Sequence, residues 1–284
     1  MKLTPIETPE DFLLAQQFVI PHEETCVSLA SLVRRKTDNL FFISDSHISV
    51  RKEKLLGIIS LDSTIYHCIP DIRKLETDSF SEELKSAFKK SVRCLSGEKA
   101  ATDFLLKLFP AWVIAYDYKM MKWQGTATNK VTTEGSAVTE LSGGEEIIRC
   151  TEHDLEILHP LQKDYMKEEV AVPGHQLTDA EVDITLRQIL KNQLCFALAC
   201  DGEVVSKANT NAIGLNCVQL GGVYTHPLYR KNGYAGALVQ TLCNRASRAH
   251  KQPVLFVKEK NMPAFSLYQK LGFAECGQYT IAYY

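Results

Sequence analysis

The chain has 284 residues, 45% of them hydrophobic, which suits two medium cores better than one, since domains commonly run about 100 to 200 residues. Its 32 basic residues nearly balance its 34 acidic ones, so there is no global attraction to nucleic acid or an anionic membrane, and any anion site has to be local. Nine cysteines, an odd number without a Cys-x-x-Cys pair, sit mostly in apolar surroundings, which argues for reduced, buried thiols rather than a disulfide framework or a zinc site.

The opening residues Met1 to Glu7 lack the apolar core of a signal peptide, and no stretch reaches the roughly 18 apolar residues of a membrane span. A cytoplasmic protein without a metal site is expected. In the first half, Phe41 to Ser44, Leu55 to Leu61 and Thr64 to Ile69 read as strands, Phe104 to Phe109 as part of a helix, and Trp112 to Met121 as a last long strand. After Ile69 comes Pro70-Asp71-Ile72-Arg73-Lys74, without a glycine. The polar, small-residue stretch from Gln124 to Gly144 reads as a linker, in which alternating threonines and valines allow part to pair as an edge strand.

The second half begins with a short strand at Ile147 and Ile148, then a helix carrying Leu155, Leu158 and Leu161 with Asp154 as its cap. A second helix follows Thr178, with Glu181 as the acidic partner three residues on. Cys195 to Cys200 and Glu203 to Asn209 flank Asp201-Gly202, a favoured two-residue hairpin turn. Next come a strand from Cys217 to Thr225, a helix from Tyr234 to about His250, a buried strand from Pro253 to Val257, and a helix from Ala264 to Lys270 stopped by Gly272. Gly277 is read as separating two final strands.

The segment from Gly221 to Ala235 is a strand running into a glycine-bearing turn that opens a helix. A helix start presents unpaired N–H groups and the positive end of the helix dipole, so it suits an anion. Gly233 removes a side chain where an anion approaches, Ala235 keeps the first turn open, and Arg230 and Lys231 add charge suited to a diphosphate. An ordinary strand-to-helix turn with an exposed basic pair is the alternative on these residues alone.

The spacing Arg230-x-x-Gly233-x-Ala235 after Val223-x-Thr225 resembles the acetyl-CoA loop of the GNAT superfamily of N-acetyltransferases, and Asn261 to Phe273 resembles that superfamily's Asn…Leu-Tyr-x-Lys-x-Gly-Phe helix and exit turn. The resemblance covers roughly residues 147 to 284 and implies an α/β (α+β) fold with a mixed, mostly antiparallel sheet flanked by helices. The order of elements in the first half suggests a second, degenerate acetyltransferase-like domain in tandem, beside the alternative of unrelated α+β structure. The expected division is residues 1–124, a linker at 125–145, and an acetyltransferase domain at 146–284.

By this resemblance, Gly222, Val223, Tyr224 and Thr225 would meet the pantetheine arm and acetyl oxygen, while Arg230, Lys231, Asn232, Gly233, Tyr234 and Ala235 would hold the diphosphate of acetyl-CoA. Asn261, Ser266 and Tyr268 would complete the cofactor site, with Asn261 alternatively a helix cap and Tyr268 the general acid or simply a packing residue. Gln219 stands where many relatives place a glutamate, and an amide cannot take a proton at neutral pH, so Glu168 and Glu169 are the candidate acceptor-site carboxylates, unless they form a solvated helix face. A terminal carboxylate after Tyr284 is a further candidate, and His226 reads as a loop residue beside Pro227. The implied activity is acetyl transfer from acetyl-CoA to a primary amine of a small molecule or peptide. The alternatives are acyl or aminoacyl transfer, or a sensor that binds acetyl-CoA without turnover. One cofactor site per chain is expected.

Overall fold

Local chemistry fixes several of the element starts. In this computed structural model, which describes residues 1–45, 55–75, 77–87, 91–125, 138–140, 144–170 and 172–284, Thr8 and Asp11 form a reciprocal capping box at the start of α1 (Pro9–Val19). Thr178 and Glu181 do the same for α6 (Asp179–Asn192), as the sequence predicts. The turn at Asp201 and Gly202 has φ of 49° and 83°, the paired positive values of a tight hairpin, and joins β9 (Cys195–Cys200) to β10 (Glu203–Ile213).

The other elements of the first half are β1 (Lys2–Pro5), α2 (Val27–Arg35), β2 (Leu40–Ser44), β3 (Leu55–Ser60) and β4 (Thr64–Cys68). They are followed by α3 (Thr77–Ala87), β5 (Cys94–Glu98), α4 (Lys99–Leu108) and β6 (Ile114–Trp123). The second half adds β7 (Val138–Glu140), β8 (Glu145–Cys150), α5 (Leu155–Tyr165), β11 (Cys217–Thr225) and α7 (Tyr234–Arg248). It closes with β12 (Gln252–Lys258), α8 (Met262–Lys270) and β13 (Phe273–Tyr283).

All of these strands join one 13-stranded sheet in the order β1-β2-β3-β4-β5-β13-β6-β12-β11-β10-β9-β8-β7. It is mixed and mostly antiparallel, with parallel pairing only of β4 with β5 and of β11 with β12 among the described residues. One core lies under α7 and α8, where Leu238, Leu242, Phe265 and Tyr268 pack on β10, β11 and β12. In the first half, one face of the sheet packs against α1 and α2 and the other against α3 and α4.

At the centre, β6 of the first half pairs with β12, and β13 of the second half pairs with β5. The two strands also pair with each other, from Phe273–Trp123 to Tyr283–Ile114. Each half of the sequence therefore supplies a strand that hydrogen-bonds to the other.

Two expectations need correction, and one alternative left open is met. Residues 273–283 form one strand, because the irregularity between Glu275 and Gly277 is absorbed as a bulge against continuous β6, so no terminal hairpin exists. Asp154 makes no side-chain cap to α5; it reciprocates Thr151, which caps the preceding short turn. The predicted linker pairs over Val138–Glu140 as an edge strand against β8, while its calls at 126–137 and 141–143 lie outside the described residues.

A buried carboxylate ties the halves together. Glu23, 1% exposed, accepts from the Asn216 backbone N–H at 2.9 Å and from the Cys217 N–H at 3.0 Å, at the start of β11. Arg34 Nε donates to the Ile213 carbonyl at 3.0 Å. Replacing Glu23 by Ala strands two backbone donors, so we predict a loss of about 2–3 kcal/mol in chemical denaturation and a smaller loss for Glu23→Gln.

Candidate active site

Parallel pairing of β11 with β12 runs from Cys217–Gln252 to Leu220–Leu255. From Gly221 onward β11 stays with β10 while β12 stays with β6, so the sheet opens. The opening is a groove of about 1200 Å³, large enough for an extended cofactor.

A bulge marks its inner end. Lys207 lies opposite Tyr224 and Asn209 opposite Gly221, so β11 carries extra chain at Gly222 and Val223. Gly222 has φ of 58°, and a Cβ there would overlap the Asn209 amide, so both conformation and space require glycine. Lys207, completely buried, donates from Nζ to the Gly222 carbonyl at 2.9 Å and to Asn209 Oδ1 at 3.3 Å. Its ammonium also lies 5.0 Å from the Tyr165 ring centroid. Because a trans peptide points C=O and N–H in opposite directions, this turns the Val223 N–H away from Lys207. Burial pulls the Lys207 pKa down to about 8 and pushes the Tyr165 phenol up to about 12.

At the outer end, α7 starts at Gly233 with no side chain capping its first turn. Gly233 has φ of 84°, and a Cβ there would meet nothing within 4 Å, so open space faces the uncapped N–H groups. Lys231 shares the left-handed region at 70°. Arg230 folds back, its Nε on the Thr225 carbonyl at 3.0 Å and its guanidinium on Glu168 at 2.9 Å.

Of the predicted residues, Gly222 to Thr225, Arg230, Lys231, Gly233, Tyr234 and Ala235 line the groove, as do Asn261, Ser266 and Tyr268. Asn232 does not; its amide turns to the Tyr229 carbonyl at 3.2 Å. Glu168 and Glu169 also line it, from the π-helical turn Met166–Val170 that follows α5. The Tyr224 hydroxyl, donating at 2.6 Å, and the Arg230 pair hold Glu168 below the usual carboxylate pKa. Glu169 accepts from Asn261 Nδ2 at 3.2 Å and pairs with Lys258 at 3.3 Å. Asn261 Oδ1 meanwhile caps α8 through the Ala264 N–H. Burial keeps Tyr268 protonated far above neutral pH.

Tyr284 is pinned by the Phe109 and Arg93 carbonyls, whereas Tyr283 reaches the groove. Gln219 accepts from Ser28 of the first half at 3.4 Å. His226 lies edge-on to Tyr229, ring centroids 5.9 Å apart.

The first half opens similarly and is filled. β4 and β5 pair from Thr64–Cys94 to Tyr66–Ser96, and beyond them the His67 ring lies where a Cβ on Gly97 would sit. His67 bonds Thr102 at 2.9 Å, and burial pulls its pKa down to about 4. At the start of α4, Glu98 already caps the Ala101 N–H.

Sequence reasoning missed Lys207, Tyr165 and Tyr118; a lone lysine in the otherwise uncharged run Val204 to Ile213 was the available signal for the first. Lys207 titrates lower in the fold than in the unfolded chain, so between about pH 8 and 10.5 the unfolded state binds more protons and stability rises with pH, by at most about 1.4 kcal/mol per pH unit. We predict that thermal denaturation of Lys207→Met, compared with the parent across this window, lacks that increment.

Among the described residues, no group of three or more His, Cys, Asp or Glu could hold a metal ion, and no helix is long and apolar enough to cross a membrane. A search of curated proteins returns no match. In fold, the chain is similar to a Drosophila protein (TM-score 0.64, 12% identity, 99% of this chain and 98% of that one). It is also similar to an acetyltransferase from the GNAT family from Colwellia psychrerythraea (TM-score 0.55, 11% identity, 100% of this chain and 99% of that one). The profile of the Acetyltransferase (GNAT) family matches residues 158–273, which span α5, the Gly222 bulge, the Gly233 turn and Tyr268, so the second half of the chain carries a GNAT-family domain.

Proposed function

We propose that the chain is an acetyl-CoA-dependent N-acetyltransferase, acting on a primary amine of a small molecule in a ternary complex, with one cofactor site, in the domain at 146–284. The observation that carries this reading is a single groove with an uncapped helix start and open space at Gly233 at one end, and the Gly222 bulge and Tyr268 at the other. An anion fits the first end and a developing oxyanion the second. The His67-filled opening supports a degenerate first domain at 1–124.

Acetyl-CoA, when bound, supplies an acetyl thioester. The N–H groups of α7 and Lys231 would bind its diphosphate, and the Val223 N–H would donate to its acetyl oxygen. Glu169 accepts the proton that the amine loses. Tyr268 would give its phenolic proton to the departing sulfur, and the proton taken up by Glu169 would later restore the phenol through solvent.

For Tyr268→Phe, turnover measured as CoA release should fall about 100-fold while the acetyl-CoA Kd stays within about twofold. Gly233→Val, which forces a β-branched residue to positive φ and fills the anion's approach, should weaken acetyl-CoA at least about tenfold in titration calorimetry. Tight binding of acetyl-CoA without CoA release from any amine would replace the enzyme by a sensor.

A further inference from the structure

Beside the groove lies a second chamber of about 420 Å³. Tyr165, Val170, Asn211, Gln219, Gly222 and Ile281 line both spaces, so the chamber opens onto the groove at the bulge. One wall comes from outside the family domain: Ser28 of α2, Tyr66 of β4 and Ser96 of β5, with Tyr279 of β13. The opposite wall offers the amides of Gln162, Gln193, Asn209 and Gln219 and the hydroxyl of Thr210.

The side chains facing this space include no Asp, Glu, Lys, Arg or His among the described residues. Lys207, the cation beneath Asn209 and Gly222, is already engaged by both. Burial holds the Tyr66 and Tyr165 phenols neutral, each near 12, and raises Tyr279 as well. A charged ligand body would be stripped of water here with no counter-charge, whereas hydroxyls and amides would find partners.

One partner is visibly wanting. Gln162 is 1% exposed, lines the chamber, and its Oε1 has no hydrogen-bond partner. A buried acceptor of this kind is costly unless something donates to it. Several neighbours are already paired: Thr210 donates to Gln193 at 2.8 Å, Ser28 to Gln219 at 3.4 Å, and Ser96 bonds Tyr279 at 2.9 Å.

We propose that this chamber is the acceptor seat and takes a compact, uncharged, hydroxyl- or amide-bearing body, hydrogen-bonded to Gln162 and walled by the first half, with the reacting amine at the bulge. This rests on the acetyltransferase reading and names its substrate class. Polyamines and free amino acids are the wrong class, because each buries a second charge.

Thermal-shift and calorimetric titration of the full chain, saturated with CoA, would use glucosamine, serinol and glycinamide against putrescine and β-alanine. At least one of the first three should bind at least tenfold more tightly than both of the last two. Gln162→Leu, which removes the unpaired acceptor, and Ser28→Leu, which narrows the chamber from the first half, should each weaken that ligand at least fivefold and leave the CoA Kd unchanged. Equal binding of the charged amines, no binding by any of the first three, or binding indifferent to both variants overturns the proposal. CoA titration alone reports on the acetyltransferase reading, so failure to bind CoA sinks that reading separately from the chamber's selectivity.

Discussion

The antiparallel ladder between β6 and β13 is the constraint on which the rest of the molecule depends. β6 completes the sheet beside β12, and β13 completes it beside β5, so each half takes a strand from the other. The exchange places the first half against the mouth of the second half's groove. Tyr118 of β6 and Ile281 and Tyr283 of β13 line that groove because the two strands run through its floor. Without the exchange, the wall holding Ser96 and Tyr66 would be tied to Gly222 only through contacts such as Glu23 to Cys217 and Ser28 to Gln219.

Both halves have a parallel pair that stops early, and the outcome is opposite. Beyond Leu220 the opening is kept clear by a glycine bulge, whereas beyond Tyr66 a histidine fills it. The helix starts differ in the same sense: Gly233 leaves its first turn uncapped, and Glu98 caps α4 with its own carboxylate. An internal carboxylate satisfies the N–H groups that an external anion would otherwise use, and it repels that anion as well. The first half is thus built as a wall.

Much of this was legible where the signal is local. Asp201-Gly202, the Thr178–Glu181 box and Gly272 act within a few residues, and each stands where the sequence puts it. The groove loop was legible for the same reason, since an αL glycine before an uncapped helix is a local device. What the sequence hid is long-range: the pairing of β13 with β6, the Glu23 link to Cys217, and the Ser28–Gln219 contact all join residues more than 140 positions apart. Reading Gly277 as a break followed from this, because a glycine in isolation reads as a turn unless its partner strand is known to be continuous. Gln219 reads as a missing base until the structure shows it joined to the first half.

Lys207 shows how the buried charge and the open groove belong together. A bulge needs some group to hold its displaced carbonyl, and a neutral donor would suffice for that alone. An ammonium does more, because it polarises the peptide it binds and makes the neighbouring N–H a stronger donor. Its desolvation is offset by the Gly222 carbonyl, the Asn209 amide and the Tyr165 ring, all neutral, so its field is not cancelled by a carboxylate. A salt bridge at that position would bind the bulge as firmly and leave the Val223 N–H less positive. On the proposed acetyltransferase reading, a lysine without a counter-ion would serve a groove in which negative charge develops, and its depressed pKa is the physical consequence of burying it without one.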